Sequence, residues 1–319
     1  MNMLPEVLCA GVVVVDHLCA PIDRLPRAGE LLAAERMVLS LGGSAANTAV
    51  NLAKMGIRTA VAGCIGDDPF GRIAVELLRE AAVDVELLRV CPGVDTSQSL
   101  ILNVRGEDRR FISTFGANAR FCAADMTAER VARSRVLYVG GYLVLPGLQH
   151  DALAAVSATA RAAGVRTVLD VAVAGPGDSV LQLATILPHV DVFLPNNDEA
   201  EQITGECDPL RQAEQFHRLG AGTVVVTLGG AGSVLVGDGL RLQVGIYPVE
   251  FVDGSGGGDA FDAGYIYGLL KGLETEDCLR YAAALGASCV RAVGTTPSVF
   301  NRAECEMFLK QNSLRIERL

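Results

Sequence analysis

One acidic side chain follows a run of glycines in FVDGSGGGDAFDAG, residues 251–264. Three consecutive glycines, Gly256, Gly257 and Gly258, come directly before Asp259, and an apolar helical pattern follows. Unpaired N–H groups at a helix N-terminus attract anions, and glycine lets a ligand approach them closely. The segment could hold a phosphoryl group while Asp259 accepts a proton from an attacking hydroxyl. It also fits a plain turn in which Asp259 caps the helix.

A second glycine pair precedes another helical pattern, LGGSAANTAVNLAKMG at residues 41–56. Gly42 and Gly43 leave room for a ligand. Ser44 and Asn47 fall in the first turn, where an amide supplies both a donor and an acceptor. An ordinary Gly-Gly-Ser helix entry would have the same sequence. The chain therefore offers two candidate half-sites, each at the start of a helix.

Other motifs for phosphate, cofactor or hydrolytic chemistry match poorly. GDDPFGR at residues 66–72 is followed by Ile73, so Arg and Ile stand where a Walker loop has Lys and Ser or Thr. No glycines follow the first predicted strand, which disfavours an NAD-dependent dehydrogenase. GGSAA at residues 42–46 lacks the second glycine of a nucleophile elbow, and only four histidines could serve a catalytic triad.

Composition narrows the class of partner and the compartment. The 319 residues carry a formal net charge of -10 without a long run of Lys and Arg, so we expect no nucleic-acid partner. The nine cysteines form no CxxC pair, which favours reduced thiols and a cytoplasmic location. The apolar stretch at residues 7–15 is too short to span a membrane and lacks a basic leader, so we expect no membrane partner.

Apolar runs alternate with helical patterns along most of the chain. The runs lack the polar alternation of half-exposed strands, so they predict a parallel sheet with helices on both faces. The predicted strands are residues 7–15, 58–66, 134–141, 166–173, 189–196 and 222–230. Near the C-terminus the pattern predicts two helices, at about 258–271 and 276–291, with a strand-like run only at 289–293.

Two segments interrupt this alternation. Residues 17–41 contain prolines before a short strand-like run, and residues 95–115 resemble a hairpin that turns at Arg105 to Asp108. We predict that they pair as a small sheet outside the main one. Loops at the strand ends of a parallel sheet often carry function, so we expect this sheet to act as a lid.

The two glycine segments together resemble the two signatures of the PfkB, or ribokinase-like, family of sugar and nucleoside kinases. Between them, IGDDPFG at 65–71, PNNDEA at 195–200 and TLGGAG at 227–232 are similar to further family motifs in the same order. The resemblance runs from Val7 to about Ser298. It implies an α/β, ribokinase-like three-layer fold, with a central, mostly parallel sheet and a small β lid. It also implies one kinase domain over residues 1–319.

The resemblance implies an ATP-dependent carbohydrate kinase that uses Mg²⁺ and phosphorylates a hydroxyl of a sugar or sugar derivative. A nucleoside kinase of the same fold is the alternative, but aromatic residues make up only 5% of the chain and Trp is absent. A catalytically silent sugar- or nucleotide-binding protein is a further alternative, although a binder would not need Asp259. Family members often form dimers through the lid, so a homodimer is implied as well.

The resemblance also implies roles for individual residues. Asp259 is the catalytic base, and Gly256, Gly257 and Gly258 form the anion hole. The acceptor would be bound by Asp16, Gly42, Gly43, Ser44 and Asn47. Mg²⁺ and the nucleotide would be bound by Asn196, Glu199, Thr227, Gly229 and Gly232. A monovalent cation such as K⁺ would lie near Asp253, Ser255, Cys289, Ala292, Gly294 and Ser298.

The second signature departs from the usual family pattern, which reads more like DTTGAGDAF. Gly254 and Ser255 replace two threonines, and Gly257 replaces an alanine. We expect a more flexible loop, because glycine does not order a turn as threonine does. Ser255 keeps a hydroxyl group for a cation, and Asp259 is retained, so the sequence predicts an active enzyme.

Overall fold

The structure is a computed structural model that describes residues 4–107, 110–175 and 178–319. In chain order the strands are β1 (Val7–Gly11), β2 (Val14–Cys19), β3 (Met37–Gly42), β4 (Thr59–Gly66), β5 (Asp84–Cys91), β6 (Gln98–Leu102), β7 (Arg110–Thr114), β8 (Val136–Gly140), β9 (Arg166–Leu169), β10 (Val192–Phe193), β11 (Thr223–Thr227), β12 (Ser233–Gly237), β13 (Leu240–Val244) and β14 (Ile316–Arg318). The α-helices are α1 (Ser44–Lys54), α2 (Pro69–Glu80), α3 (Ala128–Ala132), α4 (His150–Ala162), α5 (Ser179–Ile186), α6 (Asn197–Thr204), α7 (Pro209–Arg218), α8 (Gly257–Lys271), α9 (Thr275–Cys289) and α10 (Arg302–Gln311).

The large sheet has the order β14-β13-β12-β11-β10-β9-β8-β1-β4-β5. Its strands from β11 to β5 run parallel, while β12, β13 and β14 add to one edge in antiparallel fashion. Val7 of β1 packs into a core shared with α1 and α8, and Leu8 packs on the opposite face with side chains of α4 and α7. These two cores confirm the predicted three layers and the mostly parallel central sheet.

The antiparallel edge was not predicted, although part of its signal is in the sequence. The turn between β12 and β13 is Asp238-Gly239, and both residues have positive φ, 52° and 72°. An Asp-Gly pair between apolar strands is a strong hairpin signal, because this turn requires two left-handed residues. The strand-like run at 289–293 was a wrong prediction, since α9 extends to Cys289 and loop follows.

The predicted strand at residues 7–15 is in fact two strands in different sheets. At Gly11, φ is 129° and a Cβ would lie 2.2 Å from the Gly140 carbonyl oxygen, so only glycine allows β1 to end there. The Val13 backbone pairs with the Asn118 side chain: its N–H donates to Oδ1 at 3.2 Å, and its carbonyl accepts from Nδ2 at 2.9 Å. The chain therefore leaves the large sheet at Val12 and Val13.

The small sheet confirms the prediction that the two irregular segments pair outside the main sheet. Its order is β3-β2-β6-β7; β2 and β6 run parallel, and the other pairs are antiparallel. Most of residues 20–36 lies outside its strands. The predicted hairpin turn begins at Arg105 as expected, but Asp108 lies outside the described residues.

Candidate active site

The start of α8 requires glycine for reasons visible in its backbone. Gly256 has φ of 71°, and a Cβ there would lie 2.6 Å from the Thr295 carbonyl oxygen. Gly257 donates its N–H to the Gly254 carbonyl at 3.3 Å, a long bond that closes a turn just before the helix, so this N–H would have to exchange that partner to bind an anion. Gly258 is exposed, with nothing within 4 Å of where a Cβ would be. The helix therefore presents its N-terminus to an open space, as an anion-binding helix start must.

Asp259 joins the first turns of α8 and α1. Its Oδ2 accepts a hydrogen bond from Asn47 Nδ2 at 2.8 Å, and its carbonyl accepts one from Thr48 Oγ1 at 3.3 Å. Asn47 Oδ1 accepts in turn from Thr295 Oγ1 at 3.0 Å. Burial raises the pKa of Asp259 to about 6, although hydrogen bonds from Asn47 and Ser44 act in the opposite direction. The carboxylate is thus ionised at neutral pH but holds a proton more readily than an exposed one.

Asp16 lies on β2 and is only 5% exposed. Gly42 on β3 leaves the space for its carboxylate, because a Cβ at Gly42 would lie 2.2 Å from Asp16 Oδ2. Burial, and then the charge of Asp259, raise the pKa of Asp16 to about 7. Gly43 has φ of 89°, and a Cβ there would lie 2.5 Å from the Val12 carbonyl oxygen. Gly42 and Gly43 are therefore required by local packing, in addition to their predicted role in binding the acceptor.

A pocket of about 390 Å³ lies between the small sheet and the starts of α1 and α8. Seven of the predicted residues line it: Asp16, Gly43, Ser44, Asn47, Ser255, Gly256 and Asp259. Gly42 lies directly behind Asp16. The opposite wall comes from β6, β7 and the residues after β7, with Ser99, Phe111 and Phe115 among them. The two glycine segments, more than 200 positions apart in the sequence, thus form one site.

Three buried polar residues near Asp259 were missed by the sequence analysis. Tyr138 donates its hydroxyl to Asp262 Oδ2 at 2.8 Å, and Asp170 Oδ2 accepts from the Gly141 N–H at 3.0 Å. Burial, and then neighbouring carboxylates, raise the pKa values of Asp170 and Asp262 well above the ordinary range. A lone acid at the carboxyl end of the apolar run RTVLD was the available signal for Asp170.

Asn196 and Glu199 form a reciprocal cap at the start of α6. The Glu199 N–H donates to Asn196 Oδ1 at 2.9 Å, and the Asn196 N–H donates to Glu199 Oε2 at 3.0 Å. Burial raises the pKa of Glu199 to about 7, and hydrogen bonds at Asn196 oppose that shift, while Asp259 adds to it. Both side chains therefore have a local structural role, and Glu199 also interacts electrostatically with the carboxylates near Asp259.

The predicted nucleotide turn follows β11. Thr227 forms a parallel bridge with Asn196, and its N–H donates to the Pro195 carbonyl at 3.0 Å. Gly229 has φ of 54° and no atom near its missing side chain, whereas a Cβ at Gly232 would lie 2.0 Å from the Val244 carbonyl oxygen. This turn and the α6 cap are therefore adjacent, as their predicted shared ligand requires.

Five of the six candidate cation ligands are hydrogen-bonded to one another. Asp253 Oδ1 accepts from the Ser255 N–H and Oγ at 3.0 and 2.9 Å, and Asp253 Oδ2 accepts from the Gly294 N–H at 3.1 Å. The Cys289 thiol donates to the Ser255 carbonyl at 3.3 Å, and Ser298 Oγ donates to the Cys289 carbonyl at 2.7 Å. The sixth candidate, Ala292, lies in the loop after α9.

In the described part of the chain, no group of three or more His, Cys, Asp or Glu side chains is arranged to hold a metal ion. Among the helices within residues 4–107, 110–175 and 178–319, none has the length and apolar character needed to cross a bilayer.

Comparison with known proteins gives consistent matches over nearly the whole chain. The family model described as pfkB family carbohydrate kinase matches residues 10–301. A ribokinase of Arabidopsis thaliana is 29% identical over 96% of this chain and 81% of its own length. A nucleoside kinase of Methanothermobacter thermautotrophicus is 26% identical over 94% of both chains. The solved structure of Arabidopsis thaliana ribokinase complexed with ribose and ATP superimposes with a TM-score of 0.82 at 27% identity, covering 97% of this chain and 99% of that one.

Proposed function

The chain belongs to the pfkB family of carbohydrate kinases, and from this premise we propose that Asp259 catalyses transfer of the γ-phosphoryl group of ATP to a hydroxyl of a sugar or sugar derivative. Membership of the family makes it a phosphotransferase that acts on an alcohol group. The observation that carries the proposal is the position of Asp259, at an open helix start and on the lining of a pocket that also contains Asp16.

In the proposed reaction, the acceptor hydroxyl lies against Asp259. The carboxylate takes the proton of that hydroxyl as the oxygen bonds to the γ-phosphorus, and the bond to the ADP oxygen breaks. The hydrogen bond from Asn47 fixes the orientation of the carboxylate. The N–H groups of residues 256–258 stabilise the charge on the transferring group, which is the part of such reactions that proteins assist most.

Carboxylates near Asp259 concentrate negative charge. Besides burial, Asp262 and Glu199 raise the pKa of Asp170, Asp259 and Glu199 raise that of Asp262, and Asp259 raises that of Glu199, so a cation there would neutralise charge. We propose that Asp170 and Glu199 hold Mg²⁺ together with water and the nucleotide phosphates, since Mg²⁺ keeps much of its hydration. When bound, Mg²⁺ supplies charge neutralisation for the phosphate oxygens. Asp253 and nearby carbonyl oxygens are the oxygen ligands that K⁺ would use.

A nucleoside is the second candidate acceptor, and a specific observation favours it. Phe115 lines the pocket and is 50% exposed, so its ring offers aromatic surface on which a base could stack. The low aromatic content of the chain does not weigh against this, because it says nothing of where the aromatic residues lie. One relative is a nucleoside kinase.

We also propose a homodimer that forms through the small sheet. Met37, Leu39 and Ile112 lie on its strands and are 64%, 42% and 64% exposed, which is more apolar surface than a free edge sheet usually presents. We propose further that residues 1–319 form one kinase domain and that the protein is cytoplasmic. The free cysteines suit a reducing compartment.

The central experiment measures ADP release with a panel of sugars, sugar acids and nucleosides. At least one acceptor should raise the rate above ATP alone, and Asp259→Asn should lower kcat by roughly 10² to 10⁴-fold. Asp277→Asn is the matched control, because Asp277 is an exposed acid in the first turn of α9. The proposal fails if no acceptor is turned over, or if Asp259→Asn is as fast as the parent enzyme.

A further inference from the structure

We infer that the acceptor carries no phosphate or carboxylate group, and that the pocket selects uncharged polyhydroxy compounds. The inference rests on the proposed function, because it names the acceptor class of the same pocket. Three observations support it. The Asp16 carboxylate faces the pocket without a donor from the described residues, a second carboxylate lines the same pocket, and the other pocket walls offer hydroxyl and apolar surface.

The carboxylate of Asp16 faces the pocket without a hydrogen-bond donor from the described residues, although the side chain is 95% removed from solvent. Buried carboxylates in proteins are almost always hydrogen-bonded, since an unpaired one loses its hydration without replacement. An acceptor bound in the pocket can supply that donor. A hydroxyl group supplies one, whereas an ionised phosphate or carboxylate supplies none.

Asp259 places a second carboxylate on the lining of the same pocket. The two acids already repel each other, because the charge of Asp259 makes Asp16 harder to ionise. A third negative group held between them would meet repulsion from both, in a space from which the protein excludes much of the water. An uncharged acceptor avoids this repulsion.

The remaining walls offer hydroxyl and apolar surface. Ser99 and Ser113 face each other across β6 and β7, with their hydroxyl oxygens 2.8 Å apart. Within the described residues, no Lys, Arg or His side chain lines the pocket. The hairpin arginines that the structure describes, Arg105 and Arg110, pair with Asp23 and Glu107. Recognition of a phosphate or carboxylate normally requires such cations.

The test compares matched acceptors with the full-length enzyme and ATP. Fructose is compared with fructose 6-phosphate, and glucose with gluconate, because each charged compound keeps a free primary hydroxyl. Wherever either member is phosphorylated, the uncharged one should have at least a 100-fold higher kcat/KM. A higher value for a charged member overturns the inference and leaves the kinase function standing. If ADP release from every compound equals that with ATP alone, the proposed function fails, and the inference fails with it.

A substitution on the exposed strand β7 tests charge directly. Ser113→Arg adds a guanidinium to the pocket wall, and Ser113→Gln adds a long uncharged side chain as the matched control. We expect Ser113→Arg alone to raise the kcat/KM for the charged acceptor at least tenfold relative to the uncharged one. Equal behaviour of the two variants would show that size, not charge, governs acceptor choice.

A different observation, which does not depend on the acceptor, concerns Lys54 in the last turn of α1. Its Nζ donates to three backbone carbonyls of one loop, those of Thr296, Pro297 and Val299, the last two at 3.2 and 3.3 Å. An ammonium group has three donors, so all of them bind this loop. Such an arrangement fixes a loop from one side, much as a bound cation would.

The loop that Lys54 holds also touches the reacting centre. The single hydroxyl hydrogen of Thr295 is shared between the Leu41 carbonyl at 2.9 Å and Asn47 Oδ1 at 3.0 Å, and Asn47 orients Asp259. The Thr295 backbone packs against Gly256. We propose that Lys54 is a positioning residue that holds this loop against the glycines and the base. It touches neither the substrate nor the reacting atoms.

The test uses Lys54→Met, which keeps most of the side-chain length without the charge. We expect kcat to fall at least tenfold while the acceptor KM changes less than threefold. In Lys54→Ala, added methylammonium should restore part of kcat. Lys271→Met is the control, since Lys271 is an exposed lysine at the end of α8 whose Nζ lies 5.3 Å from the Tyr267 ring centroid. A parental kcat in Lys54→Met, or a loss of kcat without rescue in Lys54→Ala, would reduce Lys54 to a structural role.

Discussion

The acceptor side and the proposed nucleotide side of this site differ in whether their acidic side chains already have hydrogen-bond partners. On the acceptor side, Asp16 is buried and has no donor among the described residues, so it is ready for a ligand at a cost in stability. On the nucleotide side, Asn196 and Glu199 already satisfy each other at the start of α6. A carboxylate that faces a pocket without a donor therefore indicates a ligand more directly than a sequence motif does. A motif residue can instead form hydrogen bonds within its own segment of backbone.

The largest effect should come from a glycine on the acceptor side. Gly256→Ala should lower kcat by roughly 10² to 10³-fold, because the new methyl group would collide with Thr295 and displace donors of the anion hole. Gly272→Ala, at the other end of α8, is the matched control: φ is also positive there, but no atom lies within 4 Å of the added Cβ. Its kcat should stay within about threefold of the parent, with only a small loss of stability. Steady-state kinetics with both variants checks this, and equal losses would contradict it.

The pH dependence of activity should follow the acceptor side. The pKa values of Asp259 and Asp16 are raised to about 6 and about 7, and the base must be ionised to accept a proton. The kcat/KM for the acceptor should therefore fall as pH drops below about 7, by roughly tenfold per unit once below about 6. A pH profile measured at saturating ATP checks this. A flat profile between pH 5 and 7 would exclude both carboxylates from the step.

Glu199 separates a structural role from a chemical one on the nucleotide side. Glu199→Gln keeps an oxygen that can accept from the Asn196 N–H but removes the charge. If the charge acts on Mg²⁺ and the phosphates, kcat should fall about tenfold with little change in Tm, as for other groups near a metal ion. Glu199→Ala should in addition lower stability by about 1 kcal/mol. Parental activity in Glu199→Gln would show that Glu199 acts only as part of the cap of α6.

Asp16 should reveal the stability cost of the acceptor side. Its folded pKa lies above the unfolded value, so the folded state gains stability from the protonated group at low pH and loses it as pH rises from about 4 through about 7. Asp16→Asn should therefore raise Tm at pH 8 by about 4 °C, or roughly 2 kcal/mol, and by less at pH 4. Thermal unfolding at both pH values checks this. A lower Tm at pH 8 would mean that Asp16 has a donor.

Thr227 should show the smallest effect. Its backbone N–H, not its hydroxyl, makes the bond at the end of β11, and threonine is common in strands for packing reasons. Thr227→Val should change the KM for ATP less than about threefold, since the Thr227 hydroxyl makes no hydrogen bond with the described residues that the change would remove. A larger change would show that the Thr227 hydroxyl contributes to nucleotide binding.

The sequence predicted what depends on short segments. Both glycine segments, the helices that follow them and the parallel strands have local causes, namely backbone freedom and apolar runs. The break between β1 and β2 could not be predicted, because it depends on Asn118, 105 positions away. The cluster of Asp170 and Asp262 depends likewise on how strands and helices converge. The roles assigned to the nucleotide and cation residues are still predictions.

The small sheet follows the large one through the short link at Val12 and Val13, so a rotation at this link would move Asp16. Three residues of strand separate Val13 from Asp16, about 10 Å, so a rotation of about 10° at the link would move the carboxylate by about 2 Å. Such a displacement is enough to break a hydrogen bond. Asp259 stays with α8 and would not follow. Anything that tilts the small sheet, including a partner on its outer face, would therefore act on acceptor affinity before it acts on the base.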